Sequence, residues 1–206
     1  YFYKQQWHTT TPLQQKTSIN YPQIGPRDSY LMYHEELESL VKHFPSIQRA
    51  RFWMTFSEEY LTHLRVMQNI GITSIQPTKF QGQEIIPIEF LKHLLPNPED
   101  LSANYTGQTC IGTHLEGVKN GQEKSIFIWN NSSHEWCHKE YQAQAVSFTT
   151  GVPAMIGASL LCNGTWLKSG VWNMEQLDPD PFMEALNQQG LPWQITEKSP
   201  IAITTA

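Results

Sequence analysis

Twice within about forty residues this chain runs from a short apolar strand directly into an amphipathic helix. "SYLMY" at 29–33 precedes "HEELESLVKHF" at 34–44, where Leu37, Leu40, Val41 and Phe44 recur at helical spacing until Pro45 stops the pattern. "RARFWMTF" at 49–56 leads into Ser57, a helix-capping residue type. Glu58 and Glu59 follow in the first turn, where the helix dipole favours acids, and Gly71 lies past the end. Leu61, Leu64 and Met67 form the stripe of this second helix. Two strand–helix units in succession predict an α/β layer with at least one parallel pairing.

The remaining signals are shorter. Residues 1–10 read as a strand, and 11–28, with Pro12, Pro22, Gly25 and Pro26, as a loop. Pro87 starts and Pro96 stops a helix in "IPIEFLKHLLP", and "NPEDLSANYTG" after it reads as a loop. Asn120-Gly121 between "QTCIGTHLEGV" and "EKSIFIWNN" predicts a tight hairpin. Helices are expected at 133–145, 149–164 and 177–190, the last with Asp180 as cap and Pro181 in its first turn. A strand follows in "LPWQITE" and a frayed tail at 198–206.

The net charge of −5 and the absence of a basic run argue against nucleic acid or an anionic membrane as the main partner. Three scattered cysteines, Cys110, Cys137 and Cys162, give neither a disulfide framework nor a Cys-rich metal site, and point to a reducing, cytoplasmic setting. The longest apolar run, "VPAMIGASLLC" at 152–162, is shorter than the roughly 18 residues of a membrane span. A start inside a strand, "YFYKQQWHTT", reads as a piece of a longer protein.

"HEWCH" at 134–138 matches H-E-x-x-H, in which two histidines one turn apart hold zinc and the glutamate is the base. The rest of a zinc-peptidase site is missing nearby. No Glu, Asp or His lies between Glu140 and Glu175, so a third ligand must come from elsewhere, such as His114. The competing reading is a helix start, with Asn131, Ser132 and Ser133 as caps and Glu135 in the first turn. No metal is expected.

Three further constellations carry chemistry. "GPRDSYLMYHEEL" places Arg27, Tyr33, His34, Glu35 and Glu36 around one strand and the turn at its end. An arginine can clamp a carboxylate, a glutamate can hold an ammonium, and a histidine can move a proton near neutrality. The plainer reading is an Arg27–Asp28 surface pair beside a helix start. In "RARFWMTF", Arg51 and Trp53 share one strand face. In "SFTTGVPAMIGA", Thr149, Thr150 and Gly151 fall at an expected helix N-terminus, a place that binds anions. No G-x-G-x-x-G, G-x-x-x-x-G-K or G-x-S-x-G occurs.

"GPRDSYLMYHEELESL", "RARFWMTFSEEYLTHLRVMQNIG", "FTTGVPAMIGA" and "LDPDPFMEALNQQGLPW" resemble, in order and spacing, the C-terminal part of carboxynorspermidine/carboxyspermidine dehydrogenases of the saccharopine dehydrogenase family. The resemblance implies an α/β (α+β) second domain, a mixed β-sheet with helices packed mainly on one face. It divides the chain into a substrate-binding and dimerisation domain at 1–148, a C-terminal helical segment at 149–197 that packs on a missing Rossmann domain, and the tail. It implies an NADPH-dependent reductive condensation of L-aspartate β-semialdehyde with a diamine, through a Schiff base, in polyamine biosynthesis. The NADPH site lies mostly outside this chain, the partner is a second copy, and the isolated piece is expected to be inactive. On that chemistry His34 or Tyr33 donates the proton for dehydration, and Glu35 and Glu36 face the iminium or the amine. Arg27 or Arg51 clamps the semialdehyde carboxylate beside Trp53, and Thr149, Thr150 and Gly151 face the nicotinamide end or a substrate carboxylate. The alternatives are a zinc metallopeptidase using 134–138 and a non-catalytic oligomerisation domain.

Overall fold

The computed structural model describes residues 1–97 and 105–197. The chain divides into two compact units, one of residues 1–21 and 25–100, the other of 22–24 and 101–206. The loop expected at 97–107 lies partly, and the tail at 198–206 wholly, outside the described residues.

The first unit begins with a hairpin where the sequence reads as one strand. β1 (Phe2–Tyr3) turns through Lys4 and Gln5, at φ 50° and 63°, and returns as β2 (Gln6–Trp7). Left-handed backbone is unusual for residues other than glycine, so no turn letter announces this bend. Anchors from the following segment hold it: the Lys4 N–H donates to the Gln48 carbonyl and Gln5 Nε2 to the Ile47 carbonyl.

A second hairpin replaces the loop expected at 11–28. β3 (Lys16–Tyr21) pairs with β4 (Gly25–Met32), from Lys16 opposite Tyr30 to Tyr21 opposite Gly25. Of the prolines and glycine that read as loop punctuation, Pro22 sits at the bend, Gly25 and Pro26 open β4, and Pro12 precedes β3. α1 (Glu36–His43) buries Leu37 and ends before Pro45. The next strand is broken at Arg51. β5 (Arg49–Ala50) pairs with β1, and β6 (Phe52–Thr55) pairs with β4.

Every pairing among the described residues is antiparallel, so the expected parallel pairing does not form. The lengths explain why. A parallel return must carry the chain back along the strand it leaves. α1 has eight residues, about 12 Å of rise. β4 also has eight, about 26 Å.

α2 (Glu58–Asn69) starts where the sequence places it, with Ser57 Oγ accepting the Tyr60 N–H and Leu61 buried. The hairpin of β7 (Thr78–Phe80) and β8 (Gln83–Ile85) and then α3 (Pro87–Leu94) complete the unit.

The second unit is built on a long hairpin. β9 (Gln108–Lys119) and β10 (Gln122–Ser133) pair along their whole length through Asn120-Gly121, both in left-handed conformation. β11 (Gln194–Glu197) adds to the far side of β10. On one sheet face Phe127 and Trp129 are buried. Gly112 is required there, because a Cβ would lie 2.6 Å from the Ile128 carbonyl oxygen and 2.7 Å from the Phe127 ring. The other face carries Ile111, Leu115 and Ile195, each about half exposed, beside Ile126 and Ile128.

α4 (His134–Tyr141), α5 (Ala145–Cys162) and α6 (Asp180–Gln188) enclose the core of Cys137, Ala145, Phe148, Ile156, Leu160, Trp166, Leu186 and Leu191. α5 starts four residues before the expected 149 and is 18 residues long, so by length and composition it is able to cross a membrane. Its buried residues Phe148, Ile156 and Leu160 belong to this core. The first amide of α6 is held by the Asp178 carboxylate, not capped by Asp180 as expected. The α+β class is the one expected, carried by several small antiparallel sheets in place of one mixed sheet.

Candidate functional site

The chemistry-bearing side chains of the first unit gather at two neighbouring places, the corner where β4 meets α1 and the β1–β2 hairpin. At the corner the chain leaves β4 and exposes Tyr33, Glu35 and Glu36, with His34 half-buried among them, as α1 begins. His34 packs against Phe52 of β6 with the rings tilted and their centroids 4.3 Å apart. Its Nδ1 lies 3.1 Å from Glu36 Oε2 and 3.9 Å from Glu35 Oε2, yet is buried and makes no hydrogen bond. Tyr33 donates its hydroxyl to Glu38 Oε1 at 2.8 Å, and that bond pushes the phenol pKa above its ordinary value. Tyr33 is therefore bound to a carboxylate in place of standing ready as a donor, while His34 holds Nδ1 within ion-pair reach of Glu36 without a formed hydrogen bond.

At the hairpin, Arg51 lies over two aromatic rings, 5.3 Å from the Tyr1 centroid and 5.6 Å from Tyr3. The break between β5 and β6 puts it there, so the face it was expected to share with Trp53 is not continuous. Burial first, and the neighbouring Arg49 second, lower its pKa. An arginine stays protonated regardless, so the shift marks a cation whose surroundings leave it undercompensated. Among the described residues no carboxylate pairs with it, and its buried Nε has no hydrogen-bond partner. Such a group is a ready receptor for an anion.

Between the two places is a cavity of about 330 Å³. Tyr1, Trp7, His8, Met32, Tyr33 and Glu38 are among its walls. Tyr1 stacks on His8 at 5.2 Å, and Trp7 packs edge-on against Phe2. Sequence reasoning missed Tyr1, Trp7, His8 and Glu38. The hairpin that folds Trp7 and His8 back has no turn signature, and Glu38 reads as one more acid in a helix's first turn. Two features were legible, the density of aromatics in "YFYKQQWH" and the i, i+5 spacing from Tyr33 to Glu38.

The structure does not gather the other expected residues here. Arg27 sits toward the far end of β4, roughly 17 Å of strand from Met32, and donates to the Pro26 carbonyl. Asp28 pairs with Lys16 at 2.7 Å, not with Arg27. Trp53 is half-buried in β6 opposite Leu31. Because α5 begins at Ala145, Thr149, Thr150 and Gly151 lie in its second turn and not at its N-terminus. The two threonine hydroxyls donate back to the Ala145 and Val146 carbonyls. Thr149, Thr150 and Gly151 therefore present no helix N-terminus to an anion.

"HEWCH" is the start of α4. Ser133 Oγ accepts the Trp136 N–H, and Glu135 accepts from the Gly107 N–H and the Ser133 hydroxyl; its own backbone N–H first, then the Ser133 and Gly107 bonds, pull its pKa down. His134 is buried and its Nδ1 accepts the Ala145 N–H at 3.1 Å, with burial lowering its pKa. His114, the distant ligand considered, is hydrogen-bonded through Nε2 to Ser125 at 2.8 Å. Among the described residues no group of three or more His, Cys, Asp or Glu is placed to hold a metal.

The profile of the saccharopine dehydrogenase C-terminal domain matches residues 2–191. The chain belongs to that family. It is 52% identical over 194 residues to the carboxyaminopropylagmatine dehydrogenase of Synechocystis sp., covering 94% of this chain and 49% of that protein. It is 41% identical over 201 residues to the carboxynorspermidine synthase of Vibrio alginolyticus, covering 97% of this chain and 48% of the relative. The enzyme of that name from Vibrio cholerae is 41% identical over 183 residues, 88% and 44% respectively. The chain spans about half the length of the curated relatives it matches.

Proposed function

We propose that this chain is the substrate-binding part of an NADPH-dependent oxidoreductase of polyamine biosynthesis, one that condenses L-aspartate β-semialdehyde with an amine and reduces the resulting Schiff base. The observation that carries the reading is identity of 41 to 52% over nearly the whole chain to enzymes named for such products. Those names widen the amine beyond 1,3-diaminopropane and putrescine to agmatine, whose far end is a guanidinium. The residues present do not make a dinucleotide site, because no glycine-rich turn joins a strand to a helix here. The cofactor, which supplies the hydride, is assigned to the rest of the protein, and the roles below involve this chain alone.

The amine attacks the aldehyde carbon, and the carbinolamine loses water to leave a cationic iminium. That loss needs a proton donor at the departing hydroxyl, and His34, whose buried Nδ1 lies beside Glu36 without a hydrogen bond, is the residue for it. Glu35 and Glu36 beside it supply negative charge where the iminium develops. Arg51 holds the carboxylate of the semialdehyde. Two copies are part of the reading, supported by the half-exposed aliphatic face around Leu115 in the second unit. A cytoplasmic location and the inactivity of the isolated piece also belong to it.

The test is NADPH oxidation by the full-length protein given the semialdehyde with each amine. Turnover that requires both substrates supports the reading. Turnover with the semialdehyde alone, or no turnover with any amine offered, refutes it.

A further inference from the structure

We propose that the aromatic cavity of the first unit binds the far cationic end of the amine, with Glu38 as its counter-ion and the rings of Tyr1 and Trp7 as its walls; this rests on the amine-condensing reading above. Among the described residues Glu38 is the only acid lining the cavity, and no lysine or arginine lines it. A cation entering therefore meets one fixed negative charge and several ring faces, the combination that recognises ammonium and guanidinium groups. Tyr33 holds Glu38 through Oε1, which orients the carboxylate and leaves Oε2 to accept from a ligand. At about 330 Å³ the space is at the lower end for ligand pockets and suits a short alkyl cation.

The surroundings give the cavity a direction. Tyr1 forms part of its wall and also lies under the Arg51 guanidinium. The anion receptor and the cation pocket thus share one ring, so a substrate assembly with a carboxylate at one end and a cation at the other has one orientation. The arrangement also sets specificity by repulsion. An amine whose far end carries a carboxylate, as in lysine, brings an anion toward Glu38 and is rejected, whereas its decarboxylated counterpart is accepted.

The experiment uses the full-length protein, with wild type, Glu38→Gln and Tyr33→Phe compared by steady-state kinetics and by calorimetric binding. The probes are putrescine, 1,3-diaminopropane, agmatine and butylamine, the last lacking the far charge. Glu38→Gln is nearly isosteric at an exposed position, and a thermal melt confirms folding. The expected result is a rise of about 10- to 100-fold in amine KM and Kd for the dications, from loss of a charged hydrogen bond. The semialdehyde KM stays within about threefold, and the preference for putrescine over butylamine collapses. Tyr33→Phe, a positioning change, gives a smaller rise of the same kind. Unchanged dication binding in Glu38→Gln, or equal loss for butylamine and putrescine, overturns the proposal. Binding separates the two readings. Dication binding that Glu38→Gln abolishes, in a protein without turnover, retains this site and refutes the reaction; turnover with unaltered Glu38→Gln binding does the reverse. Absence of dication binding in wild type overturns this site.

Discussion

Replacing His134 by alanine removes the acceptor that holds the first amide of α5. The Ala145 N–H is in a fully buried residue and donates to His134 Nδ1 at 3.1 Å. Left unpaired, it costs about 1–3 kcal/mol, and the space vacated by the buried ring adds to that. A total of about 2 kcal/mol corresponds to roughly 8–16 °C in Tm for a unit of about a hundred residues. His134→Asn keeps an oxygen acceptor near the Nδ1 position and recovers at least half the loss. The pH dependence has a definite sign. Burial lowers the folded pKa of His134 below its ordinary value of about 6.5. The contribution is therefore complete above about pH 6.5 and is lost as pH falls through the folded value, where the ring takes a proton on the nitrogen that must accept. Urea unfolding at pH 7.5 and pH 5 reads this directly, with the gap between wild type and His134→Ala narrowing in acid. Equal stability of wild type and His134→Ala at pH 7.5, a gap that widens in acid, or an asparagine variant as weak as alanine refutes the reasoning. Zinc that raises the wild-type midpoint but not that of His134→Ala returns the segment to a metal role.

Gly112→Ala forces a Cβ to within 2.6 Å of a backbone oxygen that cannot swing away, so a loss of about 1–3 kcal/mol is expected in urea unfolding, and an unchanged midpoint contradicts the geometry. Lys4→Asn with Gln5→Gly relieves two left-handed non-glycine residues. Even without the Gln5 bond to the Ile47 carbonyl, the pair is expected to stabilise by about 1 kcal/mol in thermal melts, and destabilisation counts against the strain. In the full-length protein Arg51→Ala is expected to raise the semialdehyde KM by about 10- to 100-fold with the amine KM little moved, and Arg51→Lys does not restore it. Unaltered kinetics remove Arg51 from the site.

Signals written between near neighbours were legible in the chain. Ser57 caps α2, Asn120-Gly121 turns β9 into β10, Pro87 opens α3 and Ser133 opens α4, because a cap or turn is a contact over two or three residues. The run of Tyr, His and Glu at 33–36 and the arginine at 51 were legible as residue types, since the chemistry each could offer is written in its side chain. Pairing was not. Whether β6 runs parallel or antiparallel to β4 depends on how far α1 carries the chain, and the break at Arg51 is decided by β1 claiming Arg49 and Ala50. The start of α5 at Ala145 is fixed partly by His134, eleven residues away, and so Thr149–Gly151 lost their expected terminus. Glu38 acquires its place only when a hairpin without turn residues folds Trp7 and His8 against the β4–α1 corner. Residue types alone set the local elements and the charges on offer; which charges meet depended on long-range pairing, whose energy is spread over many contacts and written at no single position.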